Sequence, residues 1–269
     1  MADRYFDQMG AHFARKIYAS AKGSIRLAVL TRDLEEWTAQ ISQPDQSLRV
    51  LDVGAGLGHI SEWLLKKGHR LTLCEPSAEM LEAARLRLDA TPSAYPVKYL
   101  NAPLQALPEL GEQYDLVVCH AVLEWLEDPA AALRDLQRLC SPQGAISLAF
   151  YNRDALVYKN LIKGQFRKLA KDQLSGSKRS LTPQQPLDPQ QVQAWVSAAG
   201  LECTARSGVR VFYDYMPPEY QSQPSIEELI EHELLFSRHP GYLHLGRYQH
   251  CWLRPVACDA RASDLPSAN

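Results

Sequence analysis

The sequence predicts an α/β fold, a doubly wound sheet of mostly parallel strands with helices on both faces, and three observations carry that expectation. Short apolar runs without polar alternation recur between helical stretches, as strands buried on both faces require. A glycine-rich turn follows the first such run and opens a helix. The length of 269 residues, with 46% hydrophobic and 22% charged residues, suits one domain of generous size.

Residues 1–24 place Phe6, Met9, Phe13 and Ile17 three and four apart, which predicts an amphipathic helix ending near Lys22-Gly23. A second helical stretch over 25–41 leads into Pro44, so residues 1–44 read as an N-terminal helical cap. From 45 to 258 the main domain alternates: strands at 48–53, 70–74, 97–100, 116–120 and 145–150, helices at 59–67, 78–89 and 129–139. A Lys-rich insertion at about 151–187 interrupts the rhythm and ends in the turn-prone run TPQQPLDPQ. There Asp188-Pro189 supplies an N-cap and first-turn proline for a helix over 190–199, which stops at Gly200. A strand over 206–213, a helix over 225–236 and a last strand over 246–253 bring the strand count to seven. Residues 259–269 lack apolar anchors and read as a flexible tail.

The formal net charge of −2 excludes a uniformly basic binder of nucleic acid. The charge is unevenly spread, however. Residues 151–180 hold eight Lys and Arg against two Asp, and residues 1–30 hold five against two, so the rest of the chain is strongly acidic. Such asymmetry suits a phosphate-binding face, although a Lys-rich stretch also serves as a plain solvated surface. The six cysteines are scattered, without a C-x-x-C pair or zinc-type spacing, and read as reduced core residues; no metal is expected. No apolar run approaches the roughly 18 residues of a membrane span, and Asp3, Arg4 and Asp7 stand where a signal peptide is apolar. The expectation is a cytoplasmic protein with no membrane contact.

The stretch LRVLDVGAGLGHISEWL joins an apolar strand, an acidic residue, a turn with Gly54, Gly56 and Gly58, and a helix. Glycines there let backbone pass close to a nucleotide-like ligand while the helix end offers amides. The third glycine falls two residues after the second, whereas the dinucleotide fingerprint places it three later. Gly-x-Gly-x-Gly after Leu-Asp resembles the first motif of the Rossmann-like class I S-adenosylmethionine-dependent methyltransferases. Glu75, closing the second strand nineteen residues beyond Gly56, offers the carboxylate that accepts both ribose hydroxyls of an adenosyl group. Asn101-Ala102-Pro103-Leu104 stands where that family holds the adenine, and His120-Ala121-Val122-Leu123-Glu124-Trp125 where it lines the methyl-donor pocket.

Outlying blocks narrow the resemblance. Asp3-Arg4 with Phe13 and Ile17-Tyr18, Lys22-Gly23-x-x-Arg26, the His120–Trp125 segment, Phe150-Tyr151-Asn152, Gly208-Val209-Arg210-Val211-Phe212 with Asp214-Tyr215, and Leu245-Gly246-Arg247-Tyr248 resemble the bacterial tRNA 5-carboxymethoxyuridine methyltransferases over nearly the whole chain. The resemblance implies a seven-stranded sheet with an antiparallel last strand. It also implies S-adenosyl-L-methionine as cofactor and methylation of the wobble uridine's carboxylate in a tRNA anticodon stem-loop. Carried over by position, it implies cofactor contacts from Arg26, Gly54, Ala55, Gly56, Glu75, Pro103, Leu104 and His120. Two positions depart from the pattern: Ala55 where three successive glycines can stand, and Glu75 where Asp can stand, one methylene shorter.

A carboxylate of pKa about 4 is ionised at neutral pH and needs no general base to attack a sulfonium methyl, only alignment and exclusion of water. Candidates for holding the anion or stacking the base are Tyr151, Arg210, Tyr213, Arg247 and Tyr248, with Tyr151 first because it follows the fifth strand at the sheet's carboxyl edge. For Tyr213 a core-filling role competes. Lys163, Arg167 and Lys168 lead the basic stretch expected to meet tRNA. Two other functions stay open at this stage: methylation of a small carboxylic acid or other metabolite, and a non-catalytic protein binding adenosyl groups and tRNA. The oligomeric state is open, a monomer being preferred.

Overall fold

The structure, a computed structural model, describes residues 3, 20–43, 46–175, 183 and 185–256. Most of the helix expected within residues 1–24, the tail and Cys258 lie outside those residues. Helix α1 (Ala21–Thr38) corrects the boundary expected near Lys22-Gly23: it runs straight through Gly23. The reason is Ser20, whose side chain accepts the Gly23 amide and caps the first turn, so that Gly23 falls in a helix start.

The sheet comprises β1 (Arg49–Val53), β2 (Arg70–Cys74), β3 (Lys98–Leu100), β4 (Tyr114–His120), β5 (Cys140–Tyr151), β6 (Leu201–Val209) and β7 (Tyr248–Pro255). Between them lie α2 (His59–Lys66), α3 (Ala78–Asp89), α4 (Pro129–Leu139), α5 (Arg153–Ile162), α6 (Phe166–Ala170), α7 (Pro189–Ala198), the short α8 (Pro218–Gln221) and α9 (Ile226–Phe236). The strand order is β3-β2-β1-β4-β5-β7-β6, and β7 alone runs antiparallel to its neighbours. The doubly wound sheet with an antiparallel last strand is therefore as expected.

The first five strands fall where the apolar runs stand, but β6 does not. It occupies Leu201–Val209 rather than 206–213, because Arg210 takes a left-handed backbone (φ 60°) and ends the extended run. Beyond it the amides of Val211, Phe212 and Tyr213 donate to the buried Glu233 carboxylate on α9 at 2.7, 3.3 and 2.9 Å. A side chain thus replaces the ladder partner.

One apolar layer packs α4 and α7 under β1, β4 and β5, with Leu51, Val117, Leu136 and Ile146 fully buried. The opposite layer packs α1, α2 and α3 against the other face through Leu34, Leu64, Ala84 and Trp252. Register then places the functional edge. Val53 lies opposite both Cys74 and Cys119, so the turns after β1, β2 and β4 open side by side. Tyr248, at the start of β7, lies opposite both Tyr151 and Val209, so the ends of β5 and β6 meet the beginning of β7 at the same edge. Among the described residues no helix is long and apolar enough to cross a membrane.

Candidate active site

Along the first half of that edge, recognition is built from backbone. Gly54, Gly56 and Gly58 all have positive φ, of 64°, 58° and 74°. At Gly54 a Cβ would stand 2.5 Å from Val122 Cγ2, so glycine is required by space as well as by conformation. Glu75 reaches this turn: its Oε2 accepts from the Gly56 amide and its Oε1 from the Ser77 amide, each at 3.0 Å. These two bonds fix the orientation of the carboxylate at the turn.

Asn101 donates to the carbonyls of Glu75 (2.9 Å) and Pro76 (3.0 Å), tying the loop after β3 to that after β2. Pro103 leads into a single turn, Leu104–Ala106, whose buried Leu104 anchors it in the core. Asp52, under the turn, is buried and accepts from Ser61 Oγ at 2.5 Å; burial, with Glu75 nearby, pushes its carboxyl up to about 7.

After β4 the chain turns sharply at Ala121 (φ 60°). His120 is buried; its Nε2 shares a 2.8 Å bond with Ser147 Oγ, while its Nδ1 makes no hydrogen bond. Burial, with His250 and Arg26 nearby, drives its pKa well down, so the ring is neutral. Glu124 is 1% exposed and neither carboxylate oxygen has a hydrogen bond of good geometry; burial pushes it up to about 7 against the pull of its own amide, of Arg26 and of the Tyr151 amide. Sequence reading named Glu124 in its motif without giving it a role.

The second half of the edge is built from charge. Asp214, 6% exposed, faces Arg210 Nε at 3.0 Å, Arg247 Nε at 3.6 Å, Lys159 Nζ at 3.8 Å and Lys22 Nζ at 3.9 Å. Burial alone would raise the Asp214 carboxyl, but these cations hold it below the ordinary range. Arg247 Nη1 donates to the Tyr151 hydroxyl at 3.2 Å. Tyr151 meets Tyr248 edge to face at 5.3 Å between centroids, and Arg26 and Arg210 lie over the Tyr248 ring at 4.9 and 5.5 Å. Two glycines permit the convergence: a Cβ on Gly246 would lie 2.6 Å from Gly208 Cα, so the segments carrying Arg210 and Arg247 touch backbone to backbone.

Tyr151, Arg210, Arg247 and Tyr248 are thus brought together, joined by Arg26 from α1. Tyr213 is not among them; it is buried with Ile25 and Leu229, and that core-filling role is the physical reason. Lys163 closes α5, and Arg167 and Lys168 lie on α6, both helices following directly from Tyr151. Asp214, Lys159 and Lys22 were missed as a set. The spacing of Arg210 and Asp214 is the one local signal, since the other partners come from distant segments.

The pocket fits an adenosyl donor with an amino-acid tail: a glycine turn that a Cβ would fill, an aimed carboxylate, and two unpartnered buried polar groups at His120 and Glu124. No group of His, Cys, Asp and Glu able to hold a metal occurs among the described residues. Strand order, glycine turn and the carboxylate closing β2 define a class I S-adenosylmethionine-dependent methyltransferase. The family described as "Methyltransferase domain" matches residues 51–148. The chain is 36% identical over 255 residues to the tRNA 5-carboxymethoxyuridine methyltransferase of Escherichia coli strain K12, covering 94% of this chain and 97% of that protein, and it belongs to that family. A ubiquinone biosynthesis O-methyltransferase of Pseudomonas fluorescens is 28% identical over 182 residues, 66% of this chain and 74% of its own. In fold it resembles magnesium protoporphyrin IX methyltransferase of Synechocystis with bound S-adenosylhomocysteine (TM-score 0.61, 15% identity, 94% of this chain and 96% of that one). It also resembles the plantazolicin methyltransferase BamL (TM-score 0.60, 14% identity, 92% and 91%).

Proposed function

We propose that this enzyme methylates the carboxylate of 5-carboxymethoxyuridine at the tRNA wobble position, giving the methyl ester. The observation that carries the reading is the set of four cations around the buried Asp214, beside Tyr151 and at the same edge of the sheet as the glycine turn. Asp214 and the buried Glu233, which also faces Arg210, are two carboxylates against four cations, and the surplus suits an anionic substrate group.

S-adenosylmethionine, when bound, supplies an electrophilic methyl on a positively charged sulfur. Gly54, Ala55 and Gly56 would pass its amino-acid portion, Glu75 would accept from the ribose, Pro103 and Leu104 would flank the adenine, and Arg26 and His120 would close the pocket. Burial raises the Tyr151 phenol, which stays protonated; accepting from Arg247, its hydroxyl would donate a hydrogen bond to one substrate oxygen and leave the other to attack. The O–CH3 bond forms as the S–CH3 bond breaks, and no proton is transferred. Asp214 tempers the arginines, so that they steer the carboxylate without stabilising its ground state too strongly. Arg210 and Tyr248 would frame the base, and Lys163, Arg167 and Lys168 on α5 and α6 would meet the phosphates of the anticodon stem-loop.

The test mixes purified protein, S-adenosylmethionine and tRNA carrying the unmethylated acid, then analyses nucleosides by mass spectrometry. One methyl should appear on the wobble nucleoside and disappear on mild alkaline treatment, as an ester does. An alkali-stable methyl, or release of S-adenosylhomocysteine with small carboxylic acids but not with tRNA, would overturn the assignment.

A further inference from the structure

A chain of buried hydrogen bonds crosses the sheet and ends at His120, the last residue of β4, at the edge that β4 shares with the glycine turn after β1. It starts at Asp33 on α1, fully buried, whose Oδ2 accepts from His250 Nδ1 at 2.7 Å. His250 on β7 is fully buried, and its Nε2 lies 2.8 Å from Ser147 Oγ on β5. Ser147, also fully buried, lies 2.8 Å from His120 Nε2 at the end of β4. The last atom, His120 Nδ1, is the unpartnered one.

Four groups in series leave little freedom in where the hydrogens sit. The other oxygen of Asp33, Oδ1, accepts from Arg32 Nε (2.8 Å), Arg238 Nη2 (2.6 Å) and Ser207 Oγ (3.1 Å). The guanidiniums of Arg32 and Arg238 both face Asp33, and Arg238 also pairs with the neighbouring Glu36. A neutral His250 that donates from Nδ1 must accept at Nε2. The Ser147 hydroxyl therefore points its hydrogen at His250 and offers its lone pair to His120. His120 then carries its hydrogen on Nε2, and Nδ1 is a bare lone pair.

We infer that Asp33, His250 and Ser147 are positioning residues that lock His120 in the Nε2–H tautomer, so that it presents a hydrogen-bond acceptor to an N–H or O–H group of the bound methyl donor. The inference rests on the methyl-donor site alone and stands whatever the methyl acceptor is.

The chain is reversible at one atom. In Asp33→Asn, the three donors clustered on Oδ1 hold the amide oxygen there, which turns the NH2 toward His250 Nδ1. His250 must then carry its hydrogen on Nε2 and Ser147 must point at His120, which shifts the His120 hydrogen to Nδ1. An acceptor becomes a donor about three bonds away with no change in shape.

The experiment labels histidine with 15N in the full chain and reads tautomers from long-range 1H–15N correlations, with binding of S-adenosylhomocysteine measured by calorimetry. Wild type should show His120 as Nε2–H, with the Nδ1 resonance moving upfield when S-adenosylhomocysteine binds. Asp33→Asn should show Nδ1–H and bind about tenfold more weakly, roughly 1.4 kcal/mol. Asp33→Asn with Ser147→Ala should lose the switch, because the wire is cut. Should Asp33→Asn not fold, Ser147→Ala alone decides: mixed His120 tautomers and weaker binding support the chain. A Nδ1–H tautomer in wild type, an unchanged one in Asp33→Asn, a flip that survives Ser147→Ala, or unchanged tautomer and affinity in Ser147→Ala alone would each overturn it.

Discussion

The two halves of the active edge solve recognition by different means. After β1, β2 and β4, amides, glycines and tightly packed turns shape the pocket, and Glu75 serves mainly to aim one acceptor. After β5 and β6, side-chain charges gathered from four segments shape it, with Asp214 at their centre. A ligand common to many enzymes is met by backbone geometry, which tolerates little change. On the function proposed above, the ligand particular to one family would be met by side chains, which are free to be exchanged.

The comparison breaks most easily at Asp214. Asp214→Asn leaves Arg210 and Arg247 facing each other without their counter-charge, and denaturant unfolding should show a loss of about 3–5 kcal/mol. Because the cations hold this carboxyl below 3.8, its contribution is complete above that value and is lost as pH falls below it. The acid limb of a stability profile should shift accordingly, and an unchanged limb would mean the charges are not coupled.

Gly54→Ala comes next. The left-handed backbone alone costs about 1–2 kcal/mol, and the Val122 contact adds to it. Affinity for S-adenosylhomocysteine should fall at least tenfold by calorimetry. Val122→Ala in the same chain should restore the part due to the clash and leave the part due to conformation.

Glu124 gives a smaller effect of opposite sign. With its carboxyl raised to about 7, the ligand-free protein is favoured by the protonated form below 4.5 and loses that contribution as pH rises through 7. Glu124→Gln should therefore stabilise the ligand-free protein at pH 8 by on the order of 1–2 kcal/mol, read by thermal unfolding. It should also flatten the pH dependence between 5 and 8.

The smallest change in stability belongs to the surface. Arg167→Ala with Lys168→Ala should leave unfolding within about 0.5 kcal/mol of wild type. The pair should weaken tRNA binding and reduce its salt slope by about 2. An unaltered slope would place the phosphates elsewhere.

The same division explains what the sequence revealed. The turn through Gly54, Gly56 and Gly58, the carboxylate at Glu75 and the first five strands are contiguous signals, because backbone recognition needs particular residues in a row. Arg210, Arg247 and Tyr151 were legible as candidates, but Asp214 as their common partner was not, since Lys22, Lys159 and Arg247 reach it from far along the chain. Gly23 read as a stop when Ser20 made it a start, and β6 was displaced because Glu233, more than twenty residues on, took the amides of 211–213. In each case a side chain, rather than the local pattern of the chain, decided the outcome.

The position of β7 ties this assembly to the order in which the chain is made. This strand leaves the ribosome after β5 and β6 yet inserts between them, so both wait with an unpaired edge until residue 255 has emerged. Arg247 and Tyr248 arrive on that strand's threshold, and His250 arrives within it. Closing the last seam of the sheet and arming the site are therefore one event. A nascent chain that already holds a finished glycine turn still lacks Arg247, Tyr248 and His250, so the turn alone does not complete the site.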